Sequence, residues 1–368
     1  MVSPKTRAVL WARGAGRCHY CNISLIGDYI SGNEDANFGF VAHIVADKPT
    51  GPRGDPIRSP QLEDDVSNLM LMCYPHHKLI DRDELNQYSE QRLLDMKAVH
   101  EERIRILTDV TQDRSSHVLR YGAKIGEHDS PVSFSRARLA MLPERYPSEG
   151  RSIGIGIAGN VATDGEDEFW AMELDNLKRQ FQRMISERIA VREIEHLSVF
   201  ALGPIPLLVE LGSLLGDITP ADVYQIHREP AGWRWAEDGP RIKFVRSRAA
   251  EIKPKIALKL GISATVTDDR ITSVLGDDVS IWSLTAENPN NDIMRHVADL
   301  AEYRKQIRTL FDEIKAAHGQ NATINVFPAI PVSCAVETGR VRMPKADLPL
   351  VIHDQVPNRG FVSRLTIG

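Results

Sequence analysis

The chain of 368 residues is 42% apolar, 26% charged and 6% aromatic, a globular composition long enough for more than one domain. No apolar run approaches the ~18 residues of a membrane span. The stretch through Arg17 is basic without a secretory apolar core, so a soluble, cytoplasmic protein with no membrane partner is expected. A net charge of −5 excludes a bulk positive field for gathering nucleic acid.

In chain order, Cys18-His-Tyr-Cys21 follows Gly14 and Gly16 as a C-x-x-C knuckle. Phe40–Ala46 predicts a strand that carries His43 among apolar neighbours, and Asn68–Cys73 predicts a second. Cys73-Tyr-Pro-His76 is then a C-x-x-H knuckle. Three clustered cysteines make a poor disulfide set, and His76 completes a Cys3His tetrahedron, the composition of a structural Zn²⁺ site. A helix opens at Tyr74 with Pro75 in its first turn, where the missing N–H is harmless. On it His77 and Asp81 share a face, suited to gripping one cation. A charged amphipathic helix over Ser89–Leu107 closes a first domain, residues 1–108. Residues 109–150 predict a linker with one short helix near 135–141.

From residue 151 the chain alternates strands and helices: strand Ser152–Ile157, helix Glu168–Ala190, strand Leu197–Ala201, helix Leu207–Leu215. A second round follows in strand Ser280–Leu284, helix Asp292–Ala317 and strand Ile324–Phe327. This predicts a multidomain α/β protein whose C-terminal part holds a mostly parallel sheet. A shift of 127 positions sets Phe200 on Phe327, Pro204 on Pro331, Val209 on Val336, Glu210 on Glu337 and Gly212 on Gly339. The coincidence with matching element order predicts a duplication, with halves near 151–245 and 250–368 and one pocket at their strand ends. Gly154-x-Gly156-x-x-Gly159 spells a dinucleotide fingerprint, but no helix opens behind it and that reading is rejected. Trp233-Arg-Trp235 puts two indoles on one strand face, to stack a nucleobase or to cap a core edge.

His43, Asn68 and His77 on a β-β-α unit inside a zinc-knuckle frame resemble the HNH, or ββα-metal, nuclease family over about residues 8–85. The resemblance implies that His43 is the general base and that Asn68 bonds near it to fix its ring. It further implies that His77, with Asp81, holds a catalytic Mg²⁺ or other divalent ion. Ala42 stands where many members carry a further ligand, which turns attention to Asp47 and Asp55.

Followed by a doubled α/β domain with Phe200-Ala-Leu-Gly-Pro204-Ile-Pro206 and Trp233-Arg-Trp235, this unit resembles the HNH–SAVED effector nucleases of bacterial CBASS anti-phage systems. That implies a SAVED domain over 151–368, built of two CARF-like halves, which binds a cyclic dinucleotide such as cyclic GMP-AMP. Binding would drive homo-oligomerisation to a dimer or tetramer and release an endonuclease that degrades double-stranded DNA. Strand-end position nominates Gly203, Pro204, Thr285, Asn288, Pro331 and Arg340 for the ligand, beside Trp233 and Trp235. Lys5, Arg7, Arg13, Arg17, Lys48, Arg53 and Arg58 are candidates for DNA phosphates. Residues 1–108 nevertheless carry 13 Lys+Arg against 15 Asp+Glu, so one copy is expected to hold duplex weakly. Two other readings compete: a restriction-type endonuclease with a C-terminal DNA- or modified-base-recognition domain, and a zinc-stabilised ligand-responsive binding protein with a dead nuclease.

Overall fold

A computed structural model describes residues 2–28, 33–110, 114–126, 128, 132–156 and 162–368. The chain divides between residues 111 and 112 into two compact units.

The first unit opens with α1 (Pro4–Gly14), capped by the Ser3 hydroxyl, which accepts from the Thr6 N–H, and started by Pro4 in the first turn. Strands β1 (Ile26–Asp28) and β2 (Asn33–Asn37) pair, and β3 (Gly39–His43) follows. After α2 (Arg58–Leu62), β4 (Leu69–Cys73) runs antiparallel to β3, with Gly39 opposite Cys73 and His43 opposite Leu69. Leu69-Met-Leu-Met72 is buried on both faces, under α1 through Leu10 on one side and with Ile80 and Leu93 in the same cluster. The next turns are α3 (Tyr74–Lys78), a π-turn over Leu79–Asp83, and α4 (Glu90–Thr108), which Ser89 caps.

The second unit begins with β5 (Ser115–Gly122), α5 (Phe134–Ala140), β6 (Tyr146–Pro147) and β7 (Ile153–Ile155). Next come α6 (Asp167–Phe181), α7 (Glu187–Ala190), β8 (Leu197–Leu202), α8 (Ile205–Leu215) and β9 (Ala221–Val223). A hairpin of β10 (His227–Arg228) and β11 (Ala231–Gly232) leads to β12 (Phe244–Ser247) and β13 (Lys255–Gly261). The rest is α9 (Asp268–Leu275), β14 (Val279–Ala286), α10 (Val297–His318), β15 (Ile324–Ala329), α11 (Val332–Val341), β16 (Leu350–Val356) and β17 (Gly360–Ile367).

Two parallel cores emerge with the same order. In the first half β5 lies between β7 and β8, and β9 pairs beyond β8. In the second half β13 lies between β14 and β15, and β16 pairs beyond β15. The first half therefore starts at β5, not at residue 151. Residues 115–122, expected as linker, are the central strand of that half. Of the predicted strand at Ser152–Ile157, Ile153–Ile155 form β7, while Ile157, like Gly159, lies outside the described residues.

The halves meet through α8 and α11. A Cβ on Gly212 would stand 1.9 Å from the Val336 carbonyl oxygen, and one on Gly339 would stand 1.9 Å from that of Val209. These two contacts exchange into each other under the shift of 127, so the helices cross about a local two-fold axis. Equivalent acids flank the crossing. Buried Glu210 meets Lys178 at 3.3 Å, and buried Glu337 meets Arg304 at 3.0 Å.

Candidate functional site

The first unit carries two clusters of donor groups. In the knuckle after α1, Asn22 adopts a left-handed conformation and its N–H bonds the Cys18 carbonyl, which turns both thiols the same way. The ligand atoms of Cys18, Cys21, Cys73 and His76 all lie within 4.8 Å of one another. Cys21 Sγ is 4.0 Å from Cys73 Sγ, and Cys73 Sγ is 3.0 Å from His76 Nδ1. A zinc tetrahedron with Zn–S near 2.3 Å has S···S edges of about 3.8 Å, so this donor set fits that ion. Tyr20 stacks on the His76 ring at 4.0 Å and bonds Tyr88, which holds the imidazole in place. Burial opposes ionisation of Cys18, but the N–H groups of Cys21, Cys73 and Tyr20 outweigh it and its thiol is lowered. Burial and the neighbouring sulfurs push Cys73 up to about 12, the repulsion that a shared cation removes.

The second cluster sits where β3 ends and α3 begins. His43 Nε2 lies 3.0 Å from the Glu63 carbonyl oxygen. As a donor there it keeps the proton on Nε2 and leaves the Nδ1 lone pair open. Burial lowers the His43 pKa below the ordinary value, with Asp47 and Asp81 acting against it and His77 with it. His77 and Asp81 are thus close enough to act on this ring. His77 Nε2 is 3.2 Å from Asp81 Oδ2, and Arg53 Nη2 donates to Asp81 Oδ1 at 2.6 Å. Burial alone would raise Asp81, yet the bonds from His77 and Arg53 hold its carboxyl below the usual range. Phe40 stacks on His77 at 5.5 Å.

Three details differ from expectation. Asn68 does not touch the His43 ring: its Oδ1 accepts from Val45 N at 2.8 Å, and its Nδ2 donates to the Val45 and Leu62 carbonyls. It pins the backbone just beyond His43 instead. Asp55 is a cap, accepting from the N–H groups of Ile57 and Arg58. Arg53 grips Asp81 and the Ile44 and Ile80 carbonyls, while Arg58 pairs with Glu90, so neither is a free phosphate contact. Ala42 is buried in the core and pairs with Met70.

The second unit holds an open cavity of about 750 Å³. It lies past the C-terminal ends of β8, β13 and β15, the ligand end of parallel sheets. Its rim includes both repeats of one turn, Gly203-Pro204-Ile205 before α8 and Ile330-Pro331-Val332 before α11. Two helix N-termini therefore border one cavity, an arrangement suited to anions. Arg228 and Arg270 add positive charge, and Asp164 and Asp354 add negative.

Of the nominated ligand residues, Gly203, Pro204 and Pro331 line this cavity and the other five do not. Trp233 is buried, edge-on to Phe200 at 5.3 Å, because the indole fills the core above β8. Trp235 lines a separate cavity of about 560 Å³ with Arg234 and Arg304. Asn288 lines a third beside Lys243 and Glu287. The Thr285 hydroxyl donates to the Val245 carbonyl at the β12–β14 pair. Arg340 is buried: it pairs with Glu337 at 2.9 Å and donates to the carbonyls of Gly216, Thr219 and Ala221. Arg228, Arg270, Asp164 and Asp354 come from two strands, a helix and a loop far apart in the chain, and no spacing in the sequence joins them.

A duplicated α/β unit with one cavity at its paired strand ends defines a ligand-binding domain. The chain belongs to the SAVED family, whose model, "SMODS-associated and fused to various effectors sensor domain", matches residues 177–367. Among solved structures, the chain is similar to the Acinetobacter baumannii Cap4 SAVED/CARF-domain containing receptor with the cyclic trinucleotide 3′3′3′-cAAA. That match has 10% identity and a TM-score of 0.45, over 74% of this chain and 56% of that one. The Moraxella osloensis Cap4 receptor matches at 10% identity and a TM-score of 0.41, over 76% and 58%. The chain thus spans little more than half the length of these receptors. No curated protein matches it. Among the described residues, no helix is long and apolar enough to cross a membrane.

Proposed function

We propose that the protein is a cyclic-oligonucleotide-gated, metal-dependent endonuclease of double-stranded DNA acting in anti-phage defence. The observation that carries the reading is the pairing, in one chain, of a SAVED sensor domain with a unit that gathers His43, His77 and Asp81 at one β-β-α turn. The Acinetobacter baumannii Cap4 receptor is described with a cyclic trinucleotide, and a cyclic oligonucleotide suits the cavity here. Its phosphates would meet the N-termini of α8 and α11 and the guanidinium of Arg228 or Arg270.

In the nuclease unit, His43 Nδ1 takes a proton from the attacking water as its oxygen bonds the phosphorus and the 3′ oxygen leaves. The Glu63 carbonyl keeps the ring oriented, and Asn68 fixes the backbone behind it. His77 and Asp81 would hold a divalent ion, which supplies positive charge for the charge developing on the phosphate. Arg53 keeps one Asp81 oxygen engaged, so the other, beside His77, would remain to hold the ion. Cys18, Cys21, Cys73 and His76 would hold Zn²⁺ as a strut between the knuckle and β4. Ligand binding would assemble copies of the chain, which compensates for the acidic balance of the nuclease unit.

The test is plasmid digestion with Mg²⁺ or Mn²⁺ across a panel of cyclic di- and trinucleotides, with sizing of the protein beside the best ligand. Ligand-dependent cleavage, abolished by His43→Ala, is expected. Absence of cleavage under every condition overturns the reading.

A further inference from the structure

The cavity that borders α8 and α11 has an oddity for a site taking a polyanion: two carboxylates on its wall. Asp164 is already engaged, its Oδ2 accepting from the Gly126 N–H at 2.9 Å. Asp354, opposite Val362 in the β16–β17 pair, accepts the Gln355 N–H and forms no ion pair among the described residues. The guanidinium nearest in influence, Arg364, is held by Asp167 at 3.1 Å, by the Asp164 carbonyl and by the face of Trp170. Arg270 is turned to the Gln355 side chain and stands 4.7 Å over Phe361. Gln225, another acceptor on the wall, is taken by the N–H and hydroxyl of Ser333. Asp354, half-buried on the cavity wall, therefore keeps unspent acceptor capacity. Burial, opposed by the Gln355 N–H, raises its carboxyl to about 6, so it is ionised near neutral pH.

A carboxylate there repels the phosphates unless the ligand brings donors to it. We infer that Asp354 reads the base, accepting N1–H and N2–H of a guanine, and that the cavity thereby selects guanine-containing cyclic oligonucleotides. The inference rests on the sensor reading above. Guanine alone among the four bases presents two adjacent donors on its Watson–Crick edge. Adenine and cytosine set a ring-nitrogen lone pair beside their amine, and uracil flanks its one N–H with carbonyls. An unmatched acceptor facing a half-buried carboxylate is penalised more heavily than a missing methylene.

Isothermal titration calorimetry of the full chain with cyclic di-GMP, cyclic GMP-AMP, cyclic di-AMP and cyclic tri-AMP tests it. The wild type should bind the guanine-containing ligands about tenfold or more tighter than the all-adenine ones. Asp354→Asn, whose amide pairs an acceptor with a donor as adenine does, should weaken cyclic di-GMP by a similar factor and spare cyclic di-AMP. A wild-type preference for the all-adenine ligands overturns the inference and leaves the sensor reading standing. Equal weakening of both classes by Asp354→Asn also overturns it, since that marks a ribose contact. No effect on either class overturns it too. Should Asp354→Asn fail to fold, the wild-type ratio decides alone. If no ligand binds, the sensor reading falls and the inference with it.

Discussion

His43 illustrates how a single side chain's surroundings set a measurable pH limit. Burial, the largest influence, disfavours its imidazolium, so its folded pKa lies below 6.5 and the basic form survives further into acid than a free imidazole would. Cleavage measured between about pH 5 and 8 should hold through neutrality and fall only below the ordinary histidine range. Asp47 is the strongest influence in the opposite direction, so Asp47→Asn should move that acid limb lower still. Arg340 carries a different expectation. Arg340→Met strips one partner from buried Glu337 and leaves three carbonyls unpaired, so it should cost about 3 kcal/mol in urea unfolding. Ligand selectivity should not change. From sequence this arginine looked like a ligand contact because a charge on a helix after a strand end normally faces solvent or substrate. A buried network spanning more than a hundred positions leaves no local mark. The metal-type donors were legible for the opposite reason: C-x-x-C and C-x-x-H fix their geometry within four residues.

At the scale of elements, three of the five shared letters, Val209/Val336, Glu210/Glu337 and Gly212/Gly339, fall on the helices that touch. Gly212 and Gly339 recur because each admits the other helix's carbonyl. An added methyl at either site must push backbone rather than a flexible side chain. Gly212→Ala and Gly339→Ala should each lower stability by about 2–4 kcal/mol in thermal or urea unfolding. Their double variant should cost less than the sum, since one displacement relieves both clashes. Strand β5 was hidden for a physical reason too. Its alternation is broken by Ser116, which is buried and bonds the Ser198 hydroxyl and His196, and by Arg120, which reaches Ser152. Polar residues satisfied by neighbouring strands imitate a loop when read alone. The tryptophan pair lies beyond β11 rather than on a strand face, and Trp233 takes the core place that the sequence left open beside a base.

For the molecule as a whole, each unit has its own apolar cluster, and only the first contains the Cys3His donors. Chelation with 1,10-phenanthroline should therefore remove one calorimetric transition, that of residues 2–110, and leave the other in place. Cys73→Ser should reproduce this without chelator.

The crossing of α8 and α11 has a consequence beyond packing. In a homodimer every substitution is written twice, so a change that improves one wall of a shared site is imposed on the other. Here the two copies lie in one gene and are locked glycine to carbonyl at fixed stoichiometry. Position 354 holds an aspartate on the cavity wall, while its counterpart by the shift of 127, His227, is buried against Trp235 instead. An asymmetric ligand can thus be met by a protein whose two sides have been free to diverge, with no risk that like will pair with like.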